Sequence, residues 1–194
     1  MLLSRQFLVS SLILLTQISF SAGAFEGKVT KGKVDFLATG KPSFLKIHGQ
    51  NEENPQAFSG EVKINDKKVT GLFNVELKDL TTKLELRDDH MKNKYMEVGK
   101  YPQAQLSIKE LILSENPLQL KKNLADQKFV GEMTFHGVTQ PIEGVFALNP
   151  KDKSLEVHSE FKIKLSDFKI EVPTYMGIKV SDDVSVNVDY EISK

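Results

Sequence analysis

The chain contains neither cysteine nor tryptophan among its 194 residues. The lack of cysteine excludes disulfide bonds, thiolate nucleophiles and cysteine-ligated metal sites. Stability must therefore come from a hydrophobic core. An excess of charge of either sign is also missing, because 26 basic residues balance 26 acidic ones. A balanced chain offers little electrostatic attraction to nucleic acid or to an anionic membrane surface, so we expect no nucleic-acid partner.

Sequence motifs of catalysis and of metal binding are missing as well. No serine stands in G-x-S-x-G, and no glycine-rich phosphate loop follows a strand before a helix. The histidines lack the spacing typical of metal ligands; they are His48, His90, His136 and His158. We therefore predict a protein that is not an enzyme, with no metal and no catalytic cofactor. A hydrolase built on His90 with Asp88 or Asp89 is the enzymatic alternative, although acidic residues before a short helix favour a capping role.

Long apolar runs are absent except at the N-terminus, which has the features of a secretory signal peptide. Arg5 precedes an apolar stretch over residues 7–20, and Ala22-Gly23-Ala24 follows it. This stretch is shorter than the roughly 20 apolar residues that a membrane span requires. We expect cleavage after about Ala24, export to the periplasm and one mature domain over residues 25–194 with no membrane span. An uncleaved membrane anchor is the alternative.

Alternation of apolar and polar residues dominates the chain from residue 33 onward, with the period of strands that bury one face. The run over residues 184–192 alternates most regularly, and residues 58–77 form a predicted hairpin around Asn65-Asp66. One stretch, residues 87–99, breaks the pattern and predicts a short helical insertion. The fold is therefore all-β and antiparallel. Either a second sheet or closure into a barrel must cover the apolar face.

Four glycines fall on the predicted inward faces of strands: Gly60, Gly71, Gly131 and Gly144. In an eight-stranded barrel, whose interior is just wide enough for side chains or one small ligand, small inward residues would leave room for the ligand. The other interpretation is that these glycines mark bulges or bends. The pattern leaves both open.

Three stretches carry a resemblance to a known family. They are LTTKLELRDDHMKNKYMEVGKYPQAQLSIKEL from Leu80, FVGEMTFHGVTQPI from Phe129, and FKIKLSDFKI followed by DDVSVNVDYEI near the C-terminus. The R-D-x-H-M, K-Y-P and G-x-x-T-x-H-G-V-T motifs within them resemble those of the YceI-like family of bacterial periplasmic proteins. The chain lacks the G-x-W motif of true lipocalins, so its similarity to lipocalins is one of architecture.

This resemblance implies a single lipocalin-like antiparallel β-barrel of about eight strands around a long apolar tunnel. Family members hold polyisoprenoids, including isoprenoid quinones, or related long-chain amphiphiles in such a tunnel. The interior positions assigned to ligand binding are Phe36, Phe58, Val62, Phe73, Val75, Leu106, Ile108, Phe129, Met133, Phe135, Phe146, Phe161, Ile163, Val186 and Val188.

Two functions compete on this basis. The first is a non-catalytic periplasmic carrier of an isoprenoid lipid, such as an isoprenoid quinone, held by apolar burial. The second is a barrel packed solid, whose surface binds a protein of the envelope or a membrane redox component. An interior cavity would distinguish them. The sequence leaves the oligomeric state open, a homodimer included.

Overall fold

The computed structural model describes residues 24–41, 45–175 and 178–193. All of the predicted signal peptide except Ala24 lies outside these residues. The described chain forms one antiparallel sheet with the strands β1 (Phe25–Val29), β2 (Gly32–Lys41), β3 (Lys46–Gln50), β4 (Phe58–Asn65), β5 (Lys68–Glu76), β6 (Gln103–Ile112), β7 (Leu124–Phe135), β8 (Val138–Pro150), β9 (Ser154–Lys164), β10 (Thr174–Tyr175) and β11 (Ile178–Ser193).

The sheet curls into a barrel that is closed by a bend in the chain. Its strand order is β1-β4-β5-β6-β7-β8-β9-β11-β2-β3, with β10 paired to β11. Strand β1 pairs with β4 and β2 pairs with β11, yet only Thr30 and Lys31 separate β1 from β2. The chain itself therefore joins the two sides of the barrel at this corner, and β3 extends the sheet beyond β2.

A buried asparagine completes the hydrogen bonding at this corner. Strand β3 ends at Gln50, so the first residues of β2 have no β3 partner. The side chain of Asn51, which has no exposed surface, supplies the missing hydrogen bonds. Its Oδ1 accepts from Val34 N at 2.8 Å, and its Nδ2 donates to Gly32 O at 3.0 Å. Buried backbone groups need such partners.

The fold class is confirmed, and the strand count is the main correction. The ten strands of the hydrogen-bonded path and the two-residue β10 replace the eight or so predicted. Strand β1 has only five residues, too few for a clear alternation, and directly follows the predicted signal peptide. The β4–β5 hairpin is confirmed. His136 and Gly137, with φ of 50° and 73°, form the β7–β8 turn, as two-residue hairpin loops require.

The predicted helical insertion is confirmed, but the predicted capping is wrong. Helix α1 (Glu85–Asp89) continues as a π-helical turn over His90–Tyr95. Because the helix begins at Glu85, Asp88 lies inside it. Its carboxylate instead accepts hydrogen bonds from the Thr81 hydroxyl at 2.6 Å, and from the backbone N–H at 2.7 Å and the hydroxyl of Thr82.

Candidate functional site

The interior of the barrel contains an apolar cavity of about 150 Å³. No charged side chain lines it. Apolar residues of β4 to β9, β11 and the start of β2 form most of its wall, and the connection after β6 contributes Leu113 and Pro117. Several inward residues, such as Val75 and Val186, retain accessible surface although they point away from bulk solvent. Their exposed area therefore faces the cavity, and the interior is not packed solid.

Twelve of the fifteen predicted interior residues line this cavity: Phe58, Val62, Phe73, Val75, Leu106, Ile108, Phe129, Met133, Phe146, Phe161, Val186 and Val188. The other three lie elsewhere. The Phe36 ring covers Gly49, the Phe135 ring packs on Phe168 with centroids 5.6 Å apart, and Ile163 lies buried opposite Val184.

The cavity occupies one half of the barrel instead of its full length. Along β7 it reaches Phe129 and Met133 but not Phe135, and along β9 it reaches Phe161 but not Ile163. Buried residues fill the other half; they include Ala38, Phe135, Ile142, Ile163, Phe168, Ile170 and Val184. A long tunnel, as the resemblance implied, is therefore replaced by a cavity at one end and a packed core at the other.

The inward glycines have a role that neither sequence interpretation anticipated. Phe73 stands directly opposite Gly60, and Phe129 directly opposite Gly144. A β-carbon at Gly60 would lie 2.5 Å from Phe73 Cδ1, and one at Gly144 would lie 2.6 Å from Phe129 Cε1. The glycines thus let each phenylalanine ring lie flat against the wall. A phenylalanine ring occupies the space beside Gly60, Gly71 and Gly144, and the side chains of Ile108 and Leu106 occupy the space beside Gly131.

A cluster of three aromatic rings stands beside the cavity. Phe58 and Phe73 are stacked with centroids 6.0 Å apart, and Tyr190 lies 5.5 Å and 5.1 Å from them. Tyr190 is not among the fifteen predicted interior residues, although it continues the alternation over residues 184–192. Burial raises the pKa of Tyr190 well above its usual range, so its phenol stays protonated in this environment.

Sequence reasoning also missed Ser159. This residue shares the inward face of β9 with Val157 and Phe161, and it lines the cavity. Tyr190 stands opposite Val157 and Ser159 opposite Val188, so the two hydroxyl-bearing residues are one diagonal step apart on neighbouring strands. A polar residue that keeps the alternation at an inward position is the signal that could have identified both.

The hydrogen-bonded ladder between β6 and β7 is the shortest along the strand path from β1 to β3. These strands have ten and twelve residues, yet they pair over only three: Gln105, Leu106 and Ser107 with Thr134, Met133 and Glu132. Beyond that point the strands diverge. The connection over residues 113–123 covers the opening with its buried residues Leu113, Pro117 and Leu120.

Two histidines with side-chain partners have structural roles. His136 contacts the carbonyl oxygen of Phe168 at 3.1 Å and Glu97 Oε2 at 2.8 Å, which ties the β7–β8 turn to two other segments. His158, on the outer face, bonds Glu160 at 2.9 Å and Asp189 at 2.6 Å. The hydrogen bond to Glu160 makes the largest contribution to raising the pKa of His158, and the hydrogen bond to Asp189 makes the next largest.

The geometry of the described residues does not support the hydrolase alternative. The Asp88 carboxylate is occupied by the threonine hydrogen bonds, and His90 is exposed; neither residue lines the cavity. Burial alone would raise the pKa of Asp88, but the hydrogen bonds from Thr81 and Thr82 together hold that pKa below its usual value. Within the described ranges, no three histidine or carboxylate side chains come together as metal ligands would.

None of the helices in the described part of the chain has the length and apolar character needed to cross a membrane.

Comparisons with known proteins identify a family and a shared fold. A family model described as the YceI-like domain matches residues 16–192, while curated proteins gave no match. A structure described as a polyisoprenoid binding domain from Saccharophagus degradans has a TM-score of 0.63 at 14% identity, covering 87% of this chain and 97% of that one.

Two further solved structures show the same architecture. Burkholderia cenocepacia BcnA has a TM-score of 0.63 at 14% identity, covering 81% of this chain and 95% of its own. The Campylobacter jejuni YCEI protein has a TM-score of 0.54 at 21% identity, covering 71% and 81%. At such identities the similarity concerns the fold, because one fold hosts many functions.

Proposed function

This chain belongs to the YceI-like family, as the resemblance of its motifs predicted, and on that premise we propose that it is a non-catalytic carrier of an isoprenoid lipid. The ligand would be an isoprenoid quinone or a related long-chain amphiphile, held inside the barrel. The observation that carries this proposal is the uncharged, mostly apolar cavity of about 150 Å³. Binding there would draw on apolar burial, at roughly 25 cal/mol per Å² before ordering costs.

The cavity size sets a condition on the ligand. A cavity of this volume accommodates a ring-sized apolar molecule, so only one segment of a long chain fits while the walls stay in place. The remainder must leave the barrel or displace wall side chains. The short β6–β7 joint borders the cavity and provides a place for such a displacement.

The alternative of a solidly packed barrel predicts an interior without a cavity. The half-filled interior speaks against it as an account of the whole barrel, whereas it describes the end around Phe135 and Phe168 well. The Saccharophagus degradans neighbour is named for binding a polyisoprenoid, and this binding is a property of that protein. It supports the choice of isoprenoids as the first ligands to test here.

Solvent extraction of the purified protein followed by mass spectrometry is the direct test of the proposed function. We expect a co-purifying isoprenoid lipid, or saturable uptake of added ubiquinone by the lipid-free protein. Val186→Phe, which fills some of the cavity, should weaken uptake, whereas Val145→Phe on the outer face should leave it unchanged. If no isoprenoid lipid co-purifies with the native protein and the lipid-free protein does not take up added ubiquinone, the proposal is refuted.

Export to the periplasm belongs to the same proposal. The charge, apolar stretch and small residues before Phe25 support it. Cell fractionation with N-terminal sequencing tests it: a periplasmic protein that begins at about residue 25 is expected, and a full-length protein in the cytoplasm would contradict it.

A further inference from the structure

We propose that Tyr190 acts as a hydrogen-bond donor to the ligand inside the barrel, so that the cavity selects an uncharged amphiphile whose head carries a carbonyl or similar acceptor oxygen. This inference rests on the proposed lipid-binding function and deepens it. It assigns the head of the ligand to the interior, and it predicts that a pure hydrocarbon of the same length binds less well.

The position of the Tyr190 ring is the first step. The ring packs against Phe58 and Phe73 with centroids 5.5 Å and 5.1 Å away, and all three residues line the cavity. Tyr190 is half-buried. It shares the inward face of β11 with Val186 and Val188, so its remaining accessible surface faces the cavity.

The Tyr190 hydroxyl has no hydrogen-bond partner among the described residues. Phenol groups in folded proteins nearly always have a hydrogen-bond partner, either a protein group or water, so the unpartnered hydroxyl beside the cavity is free to donate to a molecule bound there. The hydroxyl is not sealed in by protein atoms, which leaves it accessible to a bound molecule.

The chemistry of that partner follows from the surroundings. The phenol stays protonated because burial raises its pKa, so it donates a hydrogen bond and the partner must accept one. No basic residue lines the cavity, and an unpaired phosphate or carboxylate would be costly to bury there. A neutral oxygen therefore fits best, and Ser159 supplies a second hydroxyl one diagonal step away.

A matched pair of ligands tests the inference. Phytone and pristane share one isoprenoid skeleton, but phytone has a ketone where pristane has a methyl branch. Each would compete for the cavity with the fluorescent apolar probe N-phenyl-1-naphthylamine. Tyr190→Phe keeps the ring and removes the hydroxyl, while Tyr95→Phe makes the same change in the helical insertion, away from the cavity.

We expect the native protein to prefer phytone, and Tyr190→Phe to weaken phytone binding roughly tenfold while leaving pristane binding unchanged, as the loss of one hydrogen bond predicts. Tyr95→Phe should match the native protein. The infrared carbonyl stretch of bound phytone should shift to lower frequency in the native protein, and this shift should disappear in Tyr190→Phe. A change in packing alone would not produce that signature.

The failures are distinguishable. If the native protein binds both ligands and Tyr190→Phe changes neither the preference nor the carbonyl frequency, the donor role is refuted and the lipid-binding function stands. If the native protein binds neither phytone, pristane nor ubiquinone, the proposed function fails and the role of Tyr190 fails with it.

Discussion

Replacing Gly60 with alanine should force the Phe73 ring away from the barrel wall. The new β-carbon would lie 2.5 Å from Phe73 Cδ1 and 3.0 Å from Leu72 O, and the same ring closely covers Gly71. The ring cannot move along the wall, because a β-carbon at Gly71 would also lie only 2.7 Å from Phe73 Cε2. It must turn inward, toward Phe58 and the cavity.

The expected cost follows from two opposing effects. Overpacking a well-filled site costs about 1–3 kcal/mol, whereas alanine gains about 0.5–1 kcal/mol over glycine because it restricts the unfolded chain. We expect Gly60→Ala to lower the free energy of unfolding by about 1–2 kcal/mol. Gly144→Ala should cost more, because its β-carbon would lie 2.5 Å from the backbone oxygen of Glu160, which only a shift of the sheet can relieve.

Urea unfolding followed by far-ultraviolet circular dichroism measures these changes. Gly99→Ala is the matched control, since no atom lies within 4 Å of its added β-carbon and the protein should keep or slightly gain stability. Gly60→Ala should also reduce the uptake of an apolar ligand. Equal stabilities of Gly60→Ala and Gly99→Ala would refute the role assigned to the inward glycines.

Three further predictions concern polar side chains, each measured by urea unfolding. Asn51→Ala leaves two buried backbone groups of β2 without partners and should lower the free energy of unfolding by about 2–4 kcal/mol. A loss no larger than that caused by Asn→Ala at an exposed position would contradict this. Asp88→Asn should cost about 1–3 kcal/mol, whereas Asp89→Asn, at an exposed site, should cost almost nothing. The raised pKa of His158 means that its stabilising effect is full below about pH 6.5 and is lost as the pH rises through the folded pKa. The stability difference between the native protein and His158→Gln should therefore shrink by about 0.5 kcal/mol between pH 5 and pH 8; a constant difference would refute it.

The sequence was sufficient to predict the faces of the strands, because alternation depends on burial alone. Val186, Val188 and ten other predicted residues line the cavity for this reason. Alternation does not reveal how far along the barrel a residue lies. Phe135 and Ile163 point inward as predicted, but they belong to the packed half, and this depends on how neighbouring strands are staggered.

The function of the inward glycines could not be predicted for a related reason. Gly144 faces Phe129 on one neighbouring strand and Phe161 on the other, and these pairings exist only once the register is known. Tyr190 presents a different difficulty, since a tyrosine on an inward face is equally compatible with a core residue and a binding residue. The missing hydrogen-bond partner, which only the three-dimensional structure shows, is the observation that favours the binding role proposed above.

The three-residue ladder between β6 and β7 makes the barrel mechanically uneven. Elsewhere the wall is held by longer runs of backbone hydrogen bonds, as between β7 and β8 from Leu124 to Phe135. Among the paired strands of the path, thermal fluctuations therefore need to break the fewest bonds to separate β6 from β7. We therefore expect a long, flexible ligand to enter the barrel between β6 and β7 while the other strands remain paired.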